Sequence, residues 1–449
     1  MKKTIYLQQK TPMWHFQSEM PGCCLRATEV KPKLDRFLIE KYPNDNILFR
    51  VGKTDALDYK LSFEVEDGER YDLDPAKFTL FFGNMGDGTP QKGLVFYKHR
   101  IKMNLFSLHT GLIEYINEHL CEFFATHSFG TRQDKGFGYF FPENENFDEV
   151  YGAKYKIKFE LTVNPYSFKE EKNKKDIVYI KLYEEIFKYI EYFHKMIRSG
   201  INENGRCYDS FLKKFVNTKL PKDENGNALI WDKPLIRHIL QYNNEIYLDK
   251  CGFSDSERKS KIKVSSKIKT EDGECEKFRE NKGHLYLFRD MLGLASSQDW
   301  EFYGDTITIS EHVAEEEKET FVRFKSPIYY RPYFTKEKTT DYKFNVKIYI
   351  DYDESTIEEM KKHVFDIKSN HKDDCDEKGK KENVTPYKNF YLKDYFDFIY
   401  KEYCDCYKSK RFIDGSTAKF HSRDLKKTKK ADEYINDIFN PFSKSFYKL

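Results

Sequence analysis

Residues 129–140 read Phe129-Gly130-Thr131-Arg132-Gln133-Asp134-Lys135-Gly136-Phe137-Gly138-Tyr139-Phe140, three glycines framing one arginine and one lysine. Glycine lets the backbone take positive φ and lets another group approach closely. Peptide N–H groups exposed in such a turn form a cradle for phosphate, and a neighbouring cation adds attraction. The same pattern also describes a plain hairpin turn with two solvated charges. The flanking sequence therefore decides what the turn is for.

Working outward, residues 111–126 carry Leu112, Ile116, Leu120 and Phe123 on one helical face. Beyond the turn, Ala153, Tyr155, Ile157, Phe159, Leu161 and Val163 alternate with polar residues, the pattern of a half-buried strand. Upstream, residues 3–10 alternate around Ile5 and Leu7 and predict another strand. A helix is expected from about Thr28, with Val30, Leu34, Phe37 and Leu38 sharing a face and Pro32 in its opening turn, where a missing N–H costs little. Strands are expected at 57–66, 76–83 and 93–108, with the loop Gly83–Gly93 between the last two. The order is β-α-β-β-α-β, the ferredoxin-like or RRM-type arrangement. Helices cover one sheet face in that fold and leave the other open to RNA.

The expected fold class is therefore α+β, with tandem ferredoxin-like (RRM-type) domains, the second decorated with insertions. Residues 1–165 form the first domain and 166–200 a linking helix, its periodicity running over 178–199. Residues 201–449 form a second α+β domain, a degenerate copy of the first. In it, helices are expected at 209–216, 234–241, 284–293 and 391–406, and strands at 306–310, 320–330 and 343–351. Polar stretches at 253–282 and 368–386 read as inserted loops, and 408–430 is strongly basic.

Composition narrows the function classes. A chain of 449 residues is long enough for two or three domains. With 39% hydrophobic residues, many of them among 39 Phe and 33 Tyr, it is globular despite 34% charged residues. The net charge of +3 means that any basic footprint is local. No apolar run reaches the ~20 residues of a membrane helix, and no hydrophobic stretch follows the charged start, so a soluble cytoplasmic protein with no membrane partner is expected. Nine cysteines include no Cys-x-x-Cys pair; Cys23-Cys24, Cys404-Asp405-Cys406 and His371 with Cys375 lack the spacing of a zinc site, so no metal or cofactor is expected. There is no Walker loop and no recognisable nucleophile triad.

Three segments then combine: Thr11-Pro12-Met13-Trp14-His15-Phe16 after the first strand, Gly22 to Arg36 running into the first helix, and Gly130 to Gly138 after the second helix. The set resembles the RAMP superfamily of CRISPR-associated proteins, in which a Thr-Pro turn ends the first strand and a Gly-x-Arg-x-x-x-Gly-x-Gly loop follows the second helix. Ala27 stands where that superfamily often has glycine. Phe321 to Tyr333, with its Ser326-Pro327 step, and Leu287 to Gly293 extend the likeness to the two-domain member of the Cmr family in type III-B effector complexes.

The resemblance implies a non-catalytic subunit in antiviral defence that binds CRISPR guide RNA, helps pair target RNA and docks on other RAMP subunits of the effector complex. The residue types agree, since RNA binding needs cations for phosphates and planar rings for bases. Arg26, Lys31, Lys33, Arg36, Arg132 and Lys135 are the candidate cations. Trp14 and His15, with Phe16, are candidate stacking groups, and Gly130, Gly136 and Gly138 shape the loop. No catalytic residue is expected on this reading. The alternative is a metal-independent endoribonuclease that processes precursor guide RNA, for which His15, Tyr97 and Lys98 are the residues to nominate. A third possibility is target cleavage by an acidic loop residue, and Asp87 is its candidate.

Overall fold

The computed structural model describes residues 1–14, 24–42, 49–52, 54–66, 69–74, 78, 93–147, 152–163, 174–203, 206–220, 222, 229, 286–294, 297–300, 305–311, 324–336, 342–370, 381–409, 418–420 and 446–448. The strands of the first half are β1 (Lys2–Gln9), β2 (Met13–Trp14), β3 (Lys60–Val65), β4 (Arg70–Leu73), β5 (Leu94–Tyr97), β6 (Ile101–Phe106) and β7 (Phe140–Pro142), with helices α1 (Ala27–Lys41) and α2 (Thr110–Thr126). Four strands make an antiparallel sheet in the order β3-β6-β1-β7, with Ile5 opposite Met103 and Leu7 opposite Ile101. Val30, Leu34 and Leu38 of α1 and Leu112, Ile116, Leu120 and Phe123 of α2 are buried in one cluster with Leu7, Met103 and Leu105, as the apolar stripes require. Strands β2, β5 and β4 form a small side sheet.

The second sheet begins earlier in the chain than expected. Strand β8 (Tyr155–Thr162) alternates as the sequence predicts, but it does not close the first sheet; Phe140–Pro142 does. Alternation fixes which face of a strand is buried and says nothing about its partner. The remaining strands are β9 (Ile201–Glu203), β10 (Arg206–Tyr208), β11 (Tyr286–Leu287), β12 (Ser297–Trp300), β13 (Asp305–Glu311), β14 (Ile328–Lys336), β15 (Lys343–Tyr352), β16 (Phe365–Asn370), β17 (Lys381–Pro386), β18 (Ala418–Phe420) and β19 (Phe446–Lys448). The helices are α3 (Lys174–Arg198), α4 (Phe211–Lys219), α5 (Glu354–Met360) and α6 (Leu392–Ser409). The second large sheet is antiparallel, in the order β14-β15-β8-β19. Val178, Leu182, Ile186 and Ile190 of α3 and Tyr395, Phe396 and Ile399 of α6 are buried with Ile157, Val346 and Ile348 of this sheet.

Numbering the strands of each large sheet in chain order, both sheets run second, third, first, fourth. The chain is thus a mixed α+β protein with several antiparallel sheets and six α-helices among the described residues. Helix α3 packs in the second core and also meets the first half, Phe187 stacking on Phe137 at 4.0 Å.

Other expectations shift locally. Of the strand expected at 320–330, Ile328 to Tyr330 lie in β14, which runs on to Lys336; residues 320–323 lie outside the described residues. The flanks of the polar stretch 368–386 are ordered as β16 and β17, in a five-stranded side sheet β11-β17-β16-β13-β12. Within the expected helix at 284–293, the described residues 286–293 hold β11 and a 3-10 turn, Arg289–Leu292, in place of an α-helix. The expected strand at 76–83 apart from Phe78, the expected helix at 234–241, the insertion at 253–282, the loop Gly83–Gly93 apart from Gly93 itself, and the basic segment 408–430, apart from β18 and Lys408 and Ser409 of α6, lie outside the described residues.

Candidate nucleic-acid interface

The glycine turn is a clasp. Thr11 Oγ1 accepts the Tyr139 N–H at 2.9 Å, Pro12 O accepts the Gly138 N–H at 2.8 Å and Trp14 O accepts the Thr131 N–H at 3.2 Å. The Lys10 N–H donates to Tyr139 O at 2.8 Å. The Thr-Pro segment and the glycine segment, about 120 residues apart in sequence, are therefore zipped edge to edge. Gly138 sits at φ +67°, and a Cβ there would lie 1.7 Å from Phe129 O, so only glycine fits. Gly136, at φ +93°, brings the turn against the second half: a Cβ would come 2.9 Å from Pro332 Cδ.

These bonds change what the turn can do. The N–H groups of Gly130, Thr131, Lys135, Gly136 and Gly138 already donate within the protein, to Glu29 Oε1, Trp14 O, Arg132 O, Gln133 O and Pro12 O. A phosphate cradle made of those amides would need them released. The turn instead holds side chains in place. Arg132 takes φ +60°, a left-handed conformation costly for a residue with a Cβ, and its guanidinium lies 5.3 Å from the Trp14 ring.

Next to the turn, α1, the end of α2 and β14 enclose a groove of about 510 Å³. Lys33, Arg36 and Lys41 come from α1, and Lys325 and Arg331 from the second half. Glu40 is the carboxylate in the wall. Arg36, Lys41 and Lys325 are exposed. Arg331 is buried and anchored, donating to Thr126 O at 2.7 Å and Tyr330 O at 3.1 Å. Tyr329 presents a half-buried ring flanked by Lys325 at 5.6 Å and Arg331 at 5.9 Å. Lys33 donates to Ser128 O at 3.1 Å and Gln133 Oε1 at 3.0 Å, which ties α1 to the turn. Burial lowers the Lys33 pKa, and Glu29 works against that shift. His127, also in the groove, is brought down to about 4 chiefly by burial, with Arg331, Lys33 and Lys325 adding repulsion. A neutral imidazole at pH 7 suits a groove already crowded with cations.

The other sequence candidates fall in varied places. Trp14 is 2% exposed and meets Phe137 edge-on at 5.9 Å, so its indole lies in the core with Arg132 over it. Lys135 is 8% exposed and pairs with Asp134 at 2.7 Å; burial lowers its pKa. Lys31 is held by Asp35 at 2.7 Å and Leu57 O at 2.8 Å, on the side of α1 facing Tyr59. Arg26 is the residue from which α1 starts, its carbonyl accepting the Glu29 and Val30 N–H groups. His15, Phe16 and Asp87 lie outside the described residues. Tyr97 is 1% exposed, and Lys98 sits 4.7 Å over the Tyr71 ring beside Glu69. Among the described residues no cluster of His, Cys, Asp and Glu is placed to hold a metal, and no helix is long and apolar enough to cross a membrane.

Sequence reasoning missed Lys325, Tyr329 and Arg331 as partners of α1. Their alternation in the quoted 321–333 stretch was visible; that this strand packs on the glycine turn was not.

Two antiparallel sheets of like strand order, a glycine turn clasped by a Thr-Pro segment and an edge strand from the second half resting on that turn define a mixed α+β protein of two halves. The particular family follows from comparison. The Cmr1 N-terminal domain family matches residues 1–201 and the Cmr1 C-terminal domain family matches residues 207–430, and the chain belongs to the Cmr1 family. No curated protein and no solved structure matches it.

Proposed function

We propose that this chain is the RNA-binding Cmr1 subunit of a type III-B CRISPR effector complex, gripping guide RNA and its paired target without cutting either. Family membership supports the effector-subunit part of this reading. The observation that carries the RNA part is the groove in which Lys33, Arg36, Lys41, Lys325 and Arg331 converge from both halves around the half-buried Tyr329 ring. Cations placed to follow a phosphate backbone, with a ring at hand for a base, are what single-stranded RNA sites require. Base pairing to the guide supplies sequence specificity, so the protein needs only to hold backbone and shape. Arg132, held over the Trp14 ring and adjacent in sequence to the groove residue Gln133, is a further cation for the same RNA strand. Gly130, Gly136, Gly138, Trp14 and Lys135 act by building the turn, and Arg26 and Lys31 by placing the start of α1. The matching order of the two large sheets supports reading the halves as tandem ferredoxin-like domains, the second taking its first strand from Tyr155–Thr162. The side sheets are its decorations.

The test is fluorescence anisotropy of the purified chain with a labelled repeat-spacer RNA over a salt series. Arg36→Ala and Lys325→Ala should each weaken binding and flatten the salt slope by about one unit. If the paired variants bind like the unaltered chain at every salt concentration, the groove is not the RNA site. The same mixtures run on a denaturing gel report any cleavage.

A further inference from the structure

A second cavity, of about 600 Å³, lies between the end of β1, the side sheet, α3 and the far end of β14. Its size falls within the ~300–1,000 Å³ usual for small-ligand sites. Three of its rings are nearly parallel. Tyr71 and Phe96 have centroids 5.9 Å apart with planes 17° apart, and Tyr71 and Tyr179 are 6.4 Å apart at 25°. All three are half-buried, as are Tyr333 and Phe334 on the opposite wall. The floor is rigid: Gln9 stitches β1 to β5 by donating to Val95 O at 2.9 Å and accepting the Tyr97 N–H at 2.9 Å.

The charges are arranged to favour an anionic or polar planar guest. Both carboxylates of the wall, Glu66 and Glu143, are engaged by Arg100 at 2.7 and 3.4 Å. Lys98 lies 4.7 Å over Tyr71, and Lys10 lies 5.7 Å over Tyr333, with its ammonium donating to Gln8 at 2.7 Å. Aromatic faces joined to ammonium groups and side-chain amides suit an unstacked nucleobase with its backbone at the rim.

Strand β14 connects this cavity to the basic groove. Tyr329, Arg331 and Tyr333 fall on one face by strand periodicity, the first two lining the groove and the third the cavity. Two residues of strand span about 7 Å, a step short enough for neighbouring nucleotides.

We propose that the aromatic cavity takes one splayed-out base of the RNA strand whose backbone lies in the groove; this rests on the groove being the RNA site. The experiment uses the full chain and oligoribonucleotides carrying a single 2-aminopurine walked through the sequence. The expected result is a fluorescence change on binding confined to one position. Tyr71→Leu should abolish that change and weaken binding about 5- to 150-fold, the range for losing one stacked base, with the salt slope retained. Tyr71→Phe should keep both signal and affinity. Tyr179→Leu, on α3, carries the same test should Tyr71→Leu fail to fold. RNA binding that depends on Arg36 and Lys325 but shows no position-specific signal and no loss in either leucine variant overturns the cavity proposal and leaves the groove standing. Loss of neighbouring protein subunits from Tyr71→Leu with RNA affinity unchanged assigns the cavity to a protein partner and overturns it as well. No RNA binding by the unaltered chain removes both readings together.

Discussion

Substituting Gly138 with alanine tests whether the glycine turn is a structural clasp. The new Cβ would lie 1.7 Å from Phe129 O and 2.7 Å from its carbonyl carbon, so the backbone has to move by more than 1 Å. That movement breaks the 2.8 Å bonds Gly138 N–H to Pro12 O and Phe129 N–H to Gly138 O, in a place where Phe129 is buried. Holding alanine at φ +67° costs about 1–2 kcal/mol, and two buried backbone bonds left open cost about 1–2 kcal/mol each. The loss expected is therefore about 3–6 kcal/mol. Two other glycines separate the contributions. Gly52, at φ +61° with nothing within 4 Å of its Cβ position, carries only the conformational cost, so Gly52→Ala should lose about 1 kcal/mol. Gly152 has neither positive φ nor a close neighbour, and Gly152→Ala should stay within about 0.5 kcal/mol. Urea midpoints followed by circular dichroism, with m compared among the variants, give the ranking. Hydrogen exchange of the peptide spanning the turn localises it. A Gly138→Ala variant no less stable than Gly52→Ala would refute the clasp and return the turn to a ligand-binding role.

Three more outcomes follow from the same geometry. Arg132→Gly relieves a left-handed residue that costs about 1 kcal/mol or more, so it should leave the urea midpoint unchanged or higher while RNA anisotropy shows weaker binding; lower stability with unchanged affinity would make Arg132 purely structural. Glu29→Ala leaves the Gly130 N–H without its 2.9 Å acceptor and Lys33 without its 3.3 Å partner, and should cost about 1–3 kcal/mol by urea titration. His127 has a folded pKa of about 4, below its unfolded value, so the unfolded chain takes up the proton first as pH falls. The His127 contribution to stability is complete above about pH 6.5 and lost progressively from there down to about 4; midpoints measured across that range should fall less in His127→Gln.

The sequence carried the local elements well, because their signals are local. The stripe Val30, Leu34, Leu38 and the stripe Leu112, Ile116, Leu120 face one core as their spacing requires, and the alternation in 155–162 is a strand with Tyr155, Ile157 and Phe159 inward. Pairing was not legible, since a strand with one apolar face accepts any sheet that offers it a core. That is why β8 was assigned to the first sheet and why β16 and β17, short and polar at their ends, read as loop. For the site, Lys33 and Arg36 of α1 both line the groove, because off-stripe positions of an amphipathic helix face outward. Lys31 also lies off the stripe, yet Asp35 four residues on draws it to the Tyr59 side. Trp14 and Lys135 carry the residue types of an RNA contact, but both are buried, Lys135 within the turn and Trp14 on the segment zipped to it.

The clasp also decides how the proposed RNA groove is built. Gly136 packs on Pro332, Arg331 bonds to the end of α2, and Lys33 bonds to the turn, so the groove exists only while the two halves are docked through the turn. Neither half has the full set of cations: α1 brings Lys33, Arg36 and Lys41, and the second half brings Lys325 and Arg331. A backbone lying across them would therefore bind to the docked arrangement and stabilise it, by the same mass action that couples any ligand to the state it prefers. On the proposed reading, the glycines that looked like phosphate ligands would serve RNA binding through this route. They let a turn from the first half come close enough to β14 for the cations of both halves to share one groove.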